Sequence, residues 1–187
     1  MGEFGMKNAM KWAGAMLVIV GLLLALTACG TKQTSQTSEM SSSTGMNKGE
    51  PAPQFSLSNL DGESFRLADF QGQKVYVKYW ASWCSICLAG LEDLNTLAGQ
   101  DHDFKIVTIV APGYKGEKSS KEFTKWFSKQ PYENLNVLLD ENGVWAKEFQ
   151  VRAYPSSFYI GSDGILVKSA PGHASNEQIM DVLKEMM

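Results

Sequence analysis

The sequence predicts an α/β fold, a central mixed β-sheet flanked by helices on both faces, with an added N-terminal β-hairpin. Three observations point to it. The mostly apolar runs VYVKYWA and FKIVTIVAP read as strands in the middle of a sheet. Between them Leu88, Leu91, Leu94 and Ala98 recur near helical spacing. Ahead of them Phe55 and Leu57 alternate with polar neighbours, Asp61-Gly62 supplies a turn, and Phe65 and Leu67 resume the alternation, which is the pattern of a hairpin.

The chain has 187 residues and a formal net charge of −3, which suits one core-forming unit with extensions. No Lys/Arg cluster is present that could neutralise a run of phosphates, so nucleic-acid binding has little support. At the N-terminus, Lys7 and Lys11 precede the apolar run AGAMLVIVGLLLALTA, which ends at Cys29. A basic region followed by a short apolar one has the form of a secretory signal, and the run falls short of the roughly 20 residues of a spanning helix. An uncleaved anchor is the alternative reading. The junction Leu26-Thr27-Ala28-Cys29 resembles a bacterial lipobox, which implies cleavage before Cys29 and lipid attachment to it. Residues 1–28 are therefore expected to be a lipoprotein signal peptide. Residues 29–48, rich in Ser, Thr and Gln, follow as a lipidated N-terminus and flexible tether, and residues 49–187 form the folded domain.

After the two central strands, GYKGEKSS is a polar loop placed to border a site. Ser119 with Glu122 fits a capping box for a helix that buries Phe123, Trp126 and Phe127. LNVLLD is a further strand, and ENGVWAKEFQV a short helix or turn-rich crossover. SSFYIG and ILVKSAP flank the turn Ser162-Asp163-Gly164 as a second hairpin. The last helix starts near Ser175, with Gln178 at the capping-box position, and buries Ile179, Val182, Leu183 and Met186.

The stretch WASWCSIC carries the chemistry. Cys84 and Cys87 stand where a strand gives way to a helix, and the C-x-x-C spacing serves metal binding, a structural staple or disulfide exchange. A zinc site normally needs four ligands, and neither His102 nor His173 pairs with the cysteines at a recognisable spacing; both histidines read as solvent-facing loop residues, and no metal is expected. A permanent staple explains the spacing but not the need for one at this junction. Exchange fits the position best. Free N–H groups at a helix start favour a thiolate, so Cys84 is the expected nucleophile, and Cys87, one turn inward, the resolving thiol. Trp80, in the strand pattern, belongs to the core, whereas Trp83, next to Cys84, is placed to shape a partner-binding rim. Pro155 stands at the start of a strand pattern, and the residues alone imply an ordinary trans proline there.

With a strand, WCxxC, a helix and a late proline in this order, the chain resembles the thioredoxin fold, and more closely the TlpA/ResA-like family of membrane-tethered thiol–disulfide oxidoreductases. The segment APQFSLSNLDGESFRLADFQGQKVYVKYWASWCSIC carries the likeness, which extends over residues 50 to 186. Together with the lipobox it is similar to the surface thioredoxin-like lipoproteins of streptococci, which serve extracellular methionine sulfoxide reductases. The resemblance implies that Pro155 is a cis-proline facing the cysteines and that Tyr154 lies beside a bound partner chain. Three positions depart from the family. Many thioredoxins carry a buried acidic residue six positions before the first cysteine, where this chain has Lys78. Many TlpA/ResA-like members have glutamate three residues after the second cysteine, where Gly90 stands, and the helix-kinking proline two positions further on is Glu92. Lys78 reads either as a snorkelling or purely structural lysine at the rim or as a charge that tunes Cys87. Glu92 is the one candidate for a replacement carboxylate, at an awkward helical offset.

The expected activity is that of an extracytoplasmic, lipid-anchored reductase on the cell membrane of a Gram-positive bacterium. It would take electrons from an integral-membrane CcdA-like thiol carrier and pass them to a surface methionine sulfoxide reductase. The alternatives are reduction of apocytochrome c, as in some ResA-like proteins, and a non-catalytic lipoprotein that uses the thioredoxin fold only for binding. No nicotinamide or flavin motif is evident, so no cofactor is expected.

Overall fold

The structure, a computed structural model, describes residues 47–186. The expected signal segment, Cys29 and residues 29–46 of the expected tether lie outside the described residues. No helix among the described residues is long and apolar enough to cross a membrane.

The strands are β1 (Glu50–Pro51), β2 (Ser56–Asn59), β3 (Ser64–Arg66), β4 (Lys74–Tyr79), β5 (Phe104–Val110), β6 (Val137–Leu139), β7 (Ser156–Ile160) and β8 (Ile165–Pro171). The helices are α1 (Ser85–Ala89), α2 (Leu91–Ala98), α3 (Ser120–Phe127), α4 (Val144–Glu148) and α5 (Asn176–Glu185). All eight strands form one sheet in the order β1-β8-β7-β4-β5-β6-β2-β3. β4, β5 and β6 run parallel, and the other pairings are antiparallel. The mixed sheet and its flanking helices are those the sequence implies.

β4 shows why the sheet is covered on both sides. Val75, Val77 and Tyr79 point into a cluster with Phe55, Leu57, Ala146 and Phe149. Tyr76 and Trp80 point the other way, among Cys87, Leu91, Leu94, Phe123, Ile179 and Leu183. A strand with successive residues in two cores loses the polar alternation of a half-exposed strand and reads as a continuous apolar run. Trp80 is fully buried and packs against Phe123, Trp126 and Phe127.

The N-terminal hairpin forms with Leu57 opposite Phe65, and β2 docks on β6 through Ser58 opposite Leu139, which extends the sheet at that edge. β1 is an addition that the sequence did not reveal. Glu50 and Pro51 pair with Leu166 and Ile165 of β8, and two residues are too few to display an alternation. Both capping boxes are present, at Ser119 with Glu122 and at Ser175 with Gln178. The crossover between β6 and β7 contains α4, whose first turn is fixed by the buried Asp140 carboxylate; it accepts N–H bonds from Trp145 at 3.0 Å and Ala146 at 2.7 Å.

The single helix expected after the cysteines is two. Gly90 closes α1 and opens α2, so the axis breaks three residues after Cys87. The break occurs without a proline, at a glycine, which is one of the ordinary causes of a helix kink.

Candidate active site

The sheet hands the chain to the helix over five residues. Trp80 N–H still bonds to Ile109 carbonyl at 3.1 Å, continuing the ladder beyond β4. The next backbone bond, from Cys84 N–H to Ala81 carbonyl at 3.1 Å, closes a turn with Ser82 and Trp83 at its centre. Cys84 is the N-cap of α1, and its sulfur accepts the N–H of Cys87 at 3.2 Å. The two cysteines are joined as a disulfide with a Cα–Cα distance of 5.2 Å. Cys84 retains 8% of its surface exposed and Cys87 none.

The second wall of the site comes from the loop ahead of β7. The Tyr154–Pro155 peptide bond is cis, and the Tyr154 carbonyl oxygen lies 3.7 Å from the Cys84 sulfur. A disulfide sulfur has no proton to give, so this is a contact in the oxidised form and a hydrogen-bond partner for the thiol in the reduced form. Trp83 stands edge-on to the Tyr154 ring at 5.7 Å and 88°, and Lys115 Nζ lies 5.8 Å from the centre of the same ring while donating to Val151 carbonyl at 2.9 Å. Burial, the largest cause, pushes the Tyr154 hydroxyl up to about 12, so it stays neutral at physiological pH. Trp83 is 50% exposed and Ile86 60%, which makes them two of the large apolar side chains most open to solvent among the described residues. The result is a shallow aromatic rim with one partly open sulfur at its base.

A family model described as Redoxin matches residues 47–183. The chain belongs to the redoxin family. It is similar to the pneumococcal exposed lipoprotein thioredoxin of Streptococcus pneumoniae, with 43% identity and a TM-score of 0.69 over 72% of this chain and 100% of that one. The thioredoxin-like protein YneN of Bacillus subtilis is 29% identical over 156 residues, covering 83% of this chain and 86% of the relative. A thiol-disulfide oxidoreductase ResA of Bacillus thuringiensis is 27% identical over 141 residues, covering 75% of this chain and 79% of the relative. The fold is thioredoxin-like, and family, fold and cysteine pair make the protein a thioredoxin-like thiol–disulfide oxidoreductase.

The surroundings of Cys87 depart from the pattern that the resemblance implies. Lys78 does not snorkel at the rim. It is 1% exposed, on the sheet face shared by Tyr76 and Trp80, whose cluster includes Cys87. Its strand neighbours are Thr108 and Ser157, whose hydroxyls are engaged with Asn136 carbonyl and Tyr76 hydroxyl. The Lys78 amine has no hydrogen-bond partner among the described residues. Burial pulls it down to about 8, and the Asp93 carboxylate draws it partly back up. The snorkelling expectation fails because β4 has helices on both faces and offers its lysine no short route to water.

The place of the family's glutamate is occupied differently. A Cβ on Gly90 would collide with His173 Cε1 and Nδ1, so the imidazole lies directly over this glycine. Glu92 is exposed on α2, whereas Cys87 is fully buried. His102 also differs from the solvent-facing loop residue expected: its ring stacks on Phe104 at 3.9 Å, and Nδ1 lies 2.7 Å from the Phe104 carbonyl oxygen. One contact at the site has no sequence signal at all. Glu117, in the polar loop between β5 and α3, reaches back to Ser82, and nothing in the spacing of these residues joins them.

The buried amine gives a signed prediction. Its folded pKa lies below the unfolded value, so between about pH 8 and 10.5 the unfolded chain binds more protons and stability rises with pH. Below pH 8 the full penalty, on the order of 3 kcal/mol, is present. Urea unfolding of the oxidised protein from pH 7 to 10 should therefore show a rise that Lys78→Met lacks, with the variant the more stable at pH 7. Parallel curves for the two proteins would remove the claim that Lys78 is buried as an uncompensated amine.

Proposed function

We propose that the protein reduces a surface methionine sulfoxide reductase, acting from a lipid anchor and recharged by an integral-membrane thiol carrier. The observation that carries the reading is the partly open Cys84 sulfur beside the Tyr154 carbonyl, beneath an exposed aromatic rim. Tyr154, Pro155 and Trp83 would line the extended segment of a partner. Likeness to an exposed lipoprotein thioredoxin supports a surface location, and the Leu26-Thr27-Ala28-Cys29 junction supports a lipid on Cys29 with residues 1–28 removed.

In the reduced form the Cys84 thiolate attacks one sulfur of the partner's disulfide. A mixed disulfide forms and the partner's other sulfur leaves as a thiolate, which takes up a proton. The Cys87 thiolate then attacks the Cys84 sulfur, forming the Cys84–Cys87 disulfide and releasing the partner with both thiols restored. Two electrons move to the partner. The N–H of Cys87 would stabilise negative charge on Cys84, and Lys78, buried on the sheet face of Tyr76 and Trp80, would either favour the Cys87 thiolate in the release step or serve the structure alone.

Two measurements test this reading. Mass spectrometry of the protein extracted from membranes should find diacylglyceryl on Cys29 as the first residue; an intact Met1 would contradict the anchor. In a purified transfer assay, the reduced protein should restore oxidised methionine sulfoxide reductase over repeated turnovers, and Cys84→Ser should not. Oxidised apocytochrome c belongs in the same assay, because the resemblance to ResA-like proteins implies it as the rival substrate. Rapid transfer to apocytochrome c alone would replace the proposed partner. Undiminished function of Cys84→Ser in cells would point to the non-catalytic binding alternative.

A further inference from the structure

The turn that ends at Cys84 is held from outside by one buried side chain. Ser82 N–H lies past the point where the sheet can satisfy it, and it donates to Glu117 Oε2 at 2.5 Å. Ser82 hydroxyl donates to Glu117 Oε1 at 2.6 Å and accepts from Lys118 Nζ at 2.6 Å. Glu117 Oε1 also accepts the N–H of Lys118 at 2.7 Å. Glu117 is buried, so these bonds are shielded from competing water.

The loop that delivers Glu117 is itself braced. Gly113 N–H bonds to Lys118 carbonyl, Glu117 N–H to Tyr114 carbonyl and Asn142 N–H to Pro112 carbonyl, at 3.2, 3.0 and 2.9 Å. Gly113, Lys115 and Gly116 take left-handed φ values of 71°, 46° and 83°, which reverse the chain tightly enough to aim the carboxylate back at Ser82. Gly116 passes beneath Trp83, since a Cβ there would lie 3.8 Å from Trp83 Nε1.

We propose that Glu117 is a positioning residue for disulfide exchange, clamping Ser82 so that the Ala81–Cys84 turn presents the Cys84 sulfur and Trp83 in the attacking arrangement. Attack on a disulfide needs the sulfur in line and close, so a turn free to rock loses rate even when Cys84 is fully ionised. The plainer alternative is that Glu117 satisfies one buried amide and supports stability only. The proposal rests on the exchange chemistry of the family and not on the identity of the partner, so it can fail independently of the sulfoxide-reductase reading.

The test uses the full-length protein in detergent, reduced and then mixed with glutathione disulfide as probe. Formation of the Cys84–Cys87 disulfide is followed by acid quench and mass spectrometry across pH, and the quantity read is the plateau rate at high pH. Glu117→Ala should lower that plateau about ten-fold or more. Glu117→Gln, which keeps an acceptor for Ser82 N–H, should stay within about three-fold of the wild type. Ser82→Ala, a milder change that keeps the Ser82 N–H bond, should fall between them and serves if Glu117→Ala does not fold. A wild-type plateau in folded Glu117→Ala or Ser82→Ala, with only a lower Tm, would assign the clamp to stability and overturn the proposal. A Gln variant as slow as the Ala variant would also overturn it, by showing that charge and not the frame is what matters.

Discussion

Between Trp80 and Cys87 the backbone passes from sheet hydrogen bonding to helix hydrogen bonding, and that handover is what the site depends on. β4 is paired on both edges and packed on both faces, so its end is fixed by the whole sheet. The Ala81–Cys84 turn then brings a sulfur to the N-cap of α1, where Cys87 N–H has no carbonyl to bond and turns to that sulfur instead. One hydrogen bond thus joins fold to chemistry: it caps the helix and stabilises the charge that exchange requires. The Tyr154 carbonyl, brought in by the loop ahead of β7, lies 3.7 Å from the same sulfur.

Around the second cysteine the charged groups differ from those that the resemblance implies. Where the resemblance implies a carboxylate, a lysine is buried with no hydrogen-bond partner among the described residues, and where it implies a second carboxylate, a glycine lies beneath an imidazole. A carboxylate beside a thiol can take up its proton, whereas an ammonium would stabilise the anion left behind. Both substitutions remove negative charge from the same side of the sheet. They form a consistent pattern, with Asp93 the acidic group whose field reaches Lys78.

Local signals were legible. The capping boxes at Ser119 and Ser175, the hairpin at Asp61-Gly62 and the strand-to-helix position of the cysteines all lie within a few residues of the pattern that announces them. The cis form of Tyr154–Pro155 was implied only by resemblance, because the residues themselves favour trans. What escaped depends on pairs far apart in the chain: β1 against β8, His173 over Gly90, and Glu117 on Ser82 across 35 residues. The place of Lys78 was misread for an energetic reason. A lysine in an apolar run is ordinarily assigned a route to solvent because burying an ammonium is costly, and only the tertiary cover of both sheet faces closes that route.

The central claim is that the two cysteines are inequivalent, with Cys84 poised to attack and Cys87 held back. Alkylation of the fully reduced protein near neutral pH, resolved at each cysteine by peptide mass spectrometry, addresses it most directly. The partial opening of Cys84 and the N–H it receives from Cys87 predict that Cys84 is modified first. Equal modification of the two cysteines, or Cys87 ahead of Cys84, would contradict the account.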